Sequence, residues 1–246
     1  MTSLPEPTDD DVLAALATGL QRCDPPTALR ERVLRAGTPL PFTFLDREQG
    51  IWLPAPDASV AYREMYHDSR ERFSTRLVRV AAGHDLPEAP IDGVRSAVVI
   101  EGGLTRGAEA LGAGDLFDDA FGSAAWHSEG GALVLELATR DVDGAPAGAI
   151  RATSLGWGSM GPGIRARVAL AGARELSIVD ADAGAVLADH DHGGIEELFV
   201  LHGSCEVQGR RMRAGDYHRA LPGSHHDITL AGADGCILVN SVRALD

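Results

Sequence analysis

Short apolar or alternating runs, separated by glycine, proline and aspartate, fill the chain from about residue 41 onward. Runs of this kind between turn-forming residues are typical of β-strands. Many short strands at close spacing favour an antiparallel sandwich or barrel. The clearest runs are residues 75–80, 97–100, 133–137, 197–201 and 236–239. The pattern therefore predicts an all-β fold for most of the chain.

The beginning of the chain has a helical pattern instead. Valine and leucines between residues 12 and 20 recur at helical spacing behind Asp9 and Asp10, which can cap a helix. A second short helix is expected between Pro26 and Gly37. These signals predict a helical N-terminal segment over residues 1–37. The Gly-, Pro- and Ala-rich stretch 141–148 predicts a linker.

The two halves of the β region resemble each other. Laying Gly83 on Gly184, an offset of 101 residues, brings Gly102 onto Gly203. The same register carries the tripeptide Ala-Gly-Asp at 113–115 onto the identical tripeptide at 214–216. Chance alignment of turn glycines is the alternative explanation, but strand residues match as well. The repeat predicts two copies of one β domain, over residues 38–148 and 149–246.

Composition narrows the range of partners. The chain of 246 residues has 22 Lys+Arg against 36 Asp+Glu, a formal net charge of −14, which repels nucleic acid and anionic membranes. Its three cysteines have no short spacings and predict no disulfide framework. With neither a secretory signal pattern nor an apolar run long enough to span a bilayer, we expect a cytoplasmic protein.

Candidate chemistry is concentrated in the second copy. Six of the nine histidines lie between His190 and His226. The segment His190-Asp-His192-Gly-Gly-Ile-Glu196 places two imidazoles at alternate positions of a predicted strand, so that they share a face. Imidazole and carboxylate together are common ligands of transition metals. The clustering predicts a mononuclear metal site.

The spacing of this segment resembles the two motifs of the cupin superfamily. Gly184, His190-x-His192, Glu196 and Gly203 match the first motif, and Gly215 to His226 match the second, with Leu221 where a proline is usual. Residues 196–203, 214–217, 222–226 and 235–239 are more narrowly similar to the ChrR group of zinc-binding anti-sigma factors. The resemblance implies two tandem jelly-roll barrels and a metal held by His190, His192, Glu196 and His226.

The corresponding positions of the first copy are Ala89, Ile91, Arg95 and Ala125. Alanine and isoleucine carry no donor atom, and arginine is a permanent cation. The first copy is therefore expected to be a degenerate, metal-free cupin. His84 and His127 lie out of register and are expected to be ordinary polar or core histidines.

Other side chains near the motif receive lesser roles. His225 should face away from its neighbour His226. His202 and His218 are expected to face outward or line the rim, and Glu197 to be solvated or salt-bridged. Tyr217 is expected to donate a hydrogen bond in the pocket or to cap the barrel. Cys205 and Cys236 are expected to be small core residues.

Two functions from different classes remain open. Three imidazoles and one carboxylate suit one divalent ion per chain, zinc or iron first and Mn, Ni or Cu as alternatives, with coordination positions left for a small-molecule substrate. A metal-dependent, dioxygenase-type oxidoreductase is the first hypothesis, and a homodimer is one expected assembly. The alternative is a ChrR-like regulator of a sigma factor. The first forty residues, with only Cys23 and no histidine, lack the zinc motif of such regulators, which favours the enzyme.

Overall fold

The computed structural model of the protein describes residues 41–55, 58–68, 72–140 and 145–244. The predicted helices of residues 1–37 lie outside these ranges, as do residues 141–144 of the predicted linker. Within them the regular secondary structure is almost wholly β-strand, with one 3-10 turn at Ala152–Ser154, and no helix is long and apolar enough to cross a membrane. The all-β prediction is confirmed.

The strands fall into two series that follow the predicted repeat. The first series is β1 (Phe42–Leu45), β2 (Leu53–Pro54), β3 (Val60–His67), β4 (Phe73–Val80), β5 (His84–Asp85), β6 (Val94–Arg106), β7 (Glu109–Gly112), β8 (Leu116–Ala120), β9 (His127–Ser128), β10 (Ala132–Thr139) and β11 (Gly148–Ile150). The second is β12 (Gly158–Gly161), β13 (Ile164–Leu170), β14 (Arg174–Ala181), β15 (Val186–Leu187), β16 (His190–Asp191), β17 (Ile195–Val207), β18 (Arg210–Arg213), β19 (Tyr217–Ala220), β20 (His225–His226) and β21 (Thr229–Arg243). All five runs singled out in the sequence lie within strands, as predicted.

Two curled antiparallel sheets with matching strand orders build the molecule. One has the order β11-β8-β6-β10-β4-β3-β2, and the other has the order β1-β19-β17-β21-β14-β13-β12. The long strands β6 and β17 each bend, pairing with different neighbours along their two halves. Such bent strands close a sheet into a jelly roll. The two barrels expected from the repeat are therefore present.

Strand register repeats along with strand order. Arg95 of β6 lies opposite Asp119 of β8, and the residues 101 positions later, Glu196 and Ala220, lie opposite each other in β17 and β19. A one-residue slip would turn every side chain to the other face of the sheet. Because the registers agree, residues 101 positions apart occupy equivalent places in the two barrel interiors. The position of Glu196 in the second copy is that of Arg95 in the first.

The leading strand of each copy pairs with the other copy. Strand β1, at the start of the first copy, pairs antiparallel with β19 of the second, with Phe44 opposite His218. Strand β11, which precedes the second copy, pairs with β8 of the first. The outer edges of β19 and β8 are thus each covered by a strand from the other half of the sequence. Neither sheet edge is exposed at these strands.

Three apolar clusters fill the structure. Each barrel has its own interior, and a third cluster between them draws on both, including Leu77, Val98 and Leu135 from the first and Phe199 and Val239 from the second. Alternate residues of one strand serve different clusters because their side chains leave opposite faces. Strands buried on both faces explain the continuous apolar runs in the sequence.

A matched pair of glycines marks the bends of β6 and β17. Gly102 and Gly203 have φ of 73° and 72°, and a methyl group on either would lie 2.0 or 2.1 Å from the carbonyl oxygen of Gly131 or Gly235. We expect Gly203→Ala to lower the free energy of unfolding by about 3 kcal/mol or more, because both strain and a backbone clash are introduced. Chemical denaturation measures this loss.

Gly209→Ala is the control for this prediction. Gly209 also has a positive φ, of 67°, but an added methyl group would meet nothing within 4 Å. Its substitution should cost only the left-handed backbone strain, about 1–2 kcal/mol. Equal losses from the two variants would mean that the close approach of Gly203 to Gly235 does not hold the bend.

Candidate metal centre

A two-stranded ribbon brings the two motifs together. Strand β16 pairs antiparallel with β20, with His190 opposite His226 and Asp191 opposite His225. The ribbon continues past β16, because the His192 amide donates to the Ser224 carbonyl over 3.0 Å. Histidines 36 residues apart in sequence therefore face each other by strand register alone.

Glu196 comes from the next strand. After Gly193 and Gly194 the chain enters β17, where Glu196 lies opposite Ala220 in one neighbouring strand and opposite Val242 in the other. This central place in the sheet buries Glu196, which is 7% exposed. Glu196 therefore belongs to the strand after the glycine turn and not to the strand of the histidines.

Four side chains converge on one point. One ligand atom from each of His190, His192, Glu196 and His226 can be chosen so that all lie within 4.8 Å of one another. The carboxylate is central, with Oε1 3.8 Å from His190 Nε2, and Oε2 3.7 Å from His192 Nε2 and 3.2 Å from His226 Nδ1. Within the described ranges this is the one group of such side chains with that spacing.

Two buried atoms of the cluster have no hydrogen-bond partner. They are His192 Nε2 and Glu196 Oε2. Although His226 Nδ1 is 3.2 Å from Glu196 Oε2, the two atoms lack the alignment of a hydrogen bond. Buried polar atoms are normally paired, and a lone pair of imidazole beside a carboxylate oxygen is what a cation would satisfy. The group could therefore hold a metal ion.

His190 is held in the tautomer that a metal requires. Its Nδ1–H donates to the carbonyl oxygen of Ala188 over 3.0 Å, because the carbonyl can only accept. The lone pair of Nε2 then faces Glu196. Ligating histidines commonly donate their second ring N–H in this way, which fixes the ring orientation.

The electrostatics of the cluster favour a charged Glu196 carboxylate beside a neutral His192 ring. Burial by itself raises the pKa of Glu196, but contact with His190 and His226 outweighs it and lowers the pKa to about 2. Contact with Glu196 raises the pKa of His190. Burial lowers the pKa of His192. An anionic Glu196 thus faces a largely neutral His192 at neutral pH, which is the protonation state that binds cations.

The cluster is reached from one side. His192 and His226 are buried, whereas the side chain of His190 is 34% exposed. On the buried side, the ring of Phe42 stacks on His226 with centroids 5.3 Å apart. A molecule arriving from solvent would therefore meet the cluster beside His190.

The lesser residues of the sequence prediction have definite places. His225 is exposed and contacts Asp191 over 2.9 Å, and His202 is exposed on β17. Glu197 is buried in a salt bridge with Arg243 and accepts a hydrogen bond from Tyr217. The expectations for His225, His202 and Glu197 are confirmed. Tyr217 donates its hydrogen bond to Glu197.

The expectation for His218 was wrong. It lies neither outward nor at the rim but is wholly buried, with Nε2 2.8 Å from Nε2 of His226. Burial, followed by the neighbouring His226, lowers the pKa of His218 to about 3. Strand pairing explains this position, because His218 precedes Ala220 by two residues and Ala220 lies opposite Glu196. His218 must then share the inner face with Glu196.

The equivalent place in the first copy is occupied by charge pairs. Arg95 is 7% exposed and donates to the Pro87 carbonyl over 2.7 Å, with Glu136 at 3.7 Å and Asp119 at 4.0 Å. Ile91, the counterpart of His192, is part of the apolar filling at 2% exposure. A fixed guanidinium therefore stands among carboxylates where the second copy has its cluster.

Comparison with known families and structures agrees with this geometry. Residues 147–246 match the family model of the ChrR cupin-like domain. This part of the chain is therefore similar to the ChrR cupin-like domain. Comparison with curated protein sequences finds no significant match. The family match covers the copy that carries the histidine and glutamate cluster.

Solved structures share the fold of this chain over both copies. A candidate dioxygenase from Nostoc punctiforme is 17% identical with a TM-score of 0.66, covering 84% of each chain. Oxalate decarboxylase from Lactobacillus farciminis, solved with formate, is 11% identical with a TM-score of 0.62, covering 82% of this chain and 86% of that one. A cupin 2 barrel protein from Leptotrichia buccalis is 13% identical with a TM-score of 0.58, covering 78% and 92%. At these identities the likeness establishes the fold.

Proposed function

We propose that the ChrR-like cupin binds one divalent metal ion through His190, His192, Glu196 and His226. The observation that carries the proposal is the pair of buried, unpartnered atoms, His192 Nε2 and Glu196 Oε2, in a cluster of four ligand atoms within 4.8 Å. Zinc and iron are the metals we favour, with manganese, nickel and copper as alternatives, because mixed imidazole and carboxylate sites accept all of them.

We further propose that this site acts on a small organic molecule, as a dioxygenase-type enzyme. The metal when bound would supply Lewis acidity and, if it is iron, the place where dioxygen reacts. The exposed side of His190 leaves room for a chelating substrate, whereas the ring of Phe42 covers His226 from behind. Residues 38–148 would then serve as a degenerate cupin that completes and supports residues 149–246.

The experiment has two stages. Metal analysis of the purified protein identifies the ion, and oxygen uptake by the Fe(II) form is then followed with diketones, phenols, thiols and oxalate. We expect uptake with at least one of these classes, and none from a His192→Ala variant in the same assay. Metal binding without uptake for any substrate class would argue against the enzymatic part of the proposal while leaving metal binding intact.

A regulatory role is the second candidate, favoured by the match of residues 147–246 to the ChrR cupin-like domain. Under this alternative the metal-loaded protein would hold a sigma factor. Co-purification from cells with a sigma factor, together with absence of oxygen uptake, would support regulation over catalysis. Oxygen uptake with no such partner would support the enzyme.

Metal binding should depend on pH through His190. Because contact with Glu196 raises the pKa of His190, a proton occupies this ring at and somewhat above the usual titration range of histidine, and the metal must displace it. Zinc affinity should therefore fall as pH falls below the raised pKa, by about tenfold per pH unit for each proton displaced. Competition titrations with a chelator between pH 8 and pH 5.5 measure this slope, and a flat profile would contradict it.

A further inference from the structure

A second histidine stands behind the proposed ligand His226. His218 of β19 is wholly buried, and its Nε2 lies 2.8 Å from His226 Nε2. Two nitrogens at this distance form a hydrogen bond, so one of them carries a hydrogen and the other accepts it. The nitrogen of His226 that faces Glu196 is therefore Nδ1, at 3.2 Å from Oε2.

The position of that proton follows from the far side of His218. Its Nδ1 lies 3.1 Å from the carbonyl oxygen of Thr43, which can only accept, so Nδ1 carries a hydrogen. A neutral His218 then offers Nε2 as an acceptor, and His226 must donate through Nε2–H. This leaves the lone pair of His226 on Nδ1, facing Glu196.

The carbonyl oxygen that anchors this pair of hydrogen-bonded histidines comes from outside the second copy. Thr43 belongs to β1, which pairs with β19 so that Phe44 lies opposite His218. The ring of Phe44 packs on His218 with centroids 4.3 Å apart, and Phe42 stacks on His226 at 5.3 Å. Strand β1 thus holds both rings in place and supplies the acceptor that sets their hydrogens.

We propose that His218, anchored by the Thr43 carbonyl of β1, is a positioning residue that makes His226 bind the metal through Nδ1. This inference rests on the proposed function, since it concerns the same metal. It assigns different ligand atoms to two histidines, because the Ala188 carbonyl turns Nε2 of His190 inward while His218 turns Nδ1 of His226 inward. It also makes the first strand of the first copy part of the site in the second.

Long-range ¹H–¹⁵N NMR of the ¹⁵N-labelled full chain loaded with zinc tests the assignment directly. We expect the His226 ring to have a protonated Nε2 and a zinc-bound Nδ1, and His190 to have the reverse. Zinc bound through Nε2 of His226, or through His218, would overturn the inference and leave metal binding standing. A wild-type protein that takes up no zinc would instead overturn the proposed function.

Substitution of His218 tests its role. His218→Phe keeps a ring of similar shape but removes the acceptor, and we expect zinc affinity to fall by about 10- to 100-fold with the fold retained. His202→Phe, the same change at an exposed position of β17, should leave affinity unchanged. His218→Gln, whose amide oxygen can accept from His226 Nε2–H, should restore part of the loss. If His218→Phe binds zinc as tightly as wild type, positioning by His218 is wrong. The same conclusion follows if His218→Phe and His218→Gln have equal zinc affinities.

Discussion

Replacing His192 by alanine is expected to lower zinc affinity by on the order of 100-fold or more, because a four-ligand site gains about 10–16 kcal/mol from all of its ligands together. Glu196→Gln should lose as much, since the amide keeps the shape of the carboxylate but removes the only negative charge among the four. In either variant the zinc ion would be held by one strong ligand fewer. Competition with a chromophoric chelator, supported by metal analysis of the purified variants, measures the change.

His225→Ala is the control for these ligand variants. His225 is next to His226 in sequence, but it is exposed and contacts Asp191 instead of Glu196. Its removal should leave zinc affinity within about twofold of wild type, because an exposed imidazole that faces away from the cluster contributes little. Similar losses for His192→Ala and His225→Ala would mean that zinc is held by a diffuse set of surface histidines.

The second large effect concerns stability and a buried charge network between the two copies. Arg243 and Glu197 form a salt bridge at 2% and 3% side-chain exposure, and Thr75 of the first copy donates to Glu197 over 2.6 Å. Although burial lowers the pKa of Arg243 to about 10, it remains cationic at neutral pH. Arg243→Met should lower the free energy of unfolding by about 3–5 kcal/mol, because it leaves the Glu197 carboxylate buried without its counter-charge.

The double variant separates a stranded charge from lost packing. Glu197→Leu alone should also be costly, since it strands the guanidinium of Arg243. Arg243→Met combined with Glu197→Leu should recover most of the loss, because apolar side chains of similar volume can replace a buried ion pair at little net cost. Urea unfolding of the four proteins completes the cycle. Additive losses in the double variant would indicate that the two charges act independently.

Much of the fold follows from the sequence because the barrels repeat. Alternation and turn residues locate strands such as β4, β10 and β21, and the shared register of the two copies equates Arg95 with Glu196. The exchange of β1 and β11 between copies does not follow, since a four-residue apolar strand such as Phe42–Leu45 carries no mark of the sheet that it joins. Only the packing of Phe42 and Phe44 against the histidines of the second copy decides it.

The four proposed ligands were predictable because motif spacing and strand alternation agree on them. His218 was not, because both faces of β19 are buried and alternation alone cannot say which side is the barrel interior. The same ambiguity affects Glu197, whose carboxylate points away from Glu196 into the contact between copies. Where both faces of a strand are covered by protein, sequence pattern gives the alternation but not the partner on each side.

The most direct test is an anomalous difference map from crystals of the zinc-loaded protein, recorded on either side of the zinc absorption edge. We predict one peak per chain, bounded by His190, His192, Glu196 and His226, and no peak beside Arg95 in the first copy. A peak in the first copy, or four side chains turned apart with no peak among them, would contradict the account.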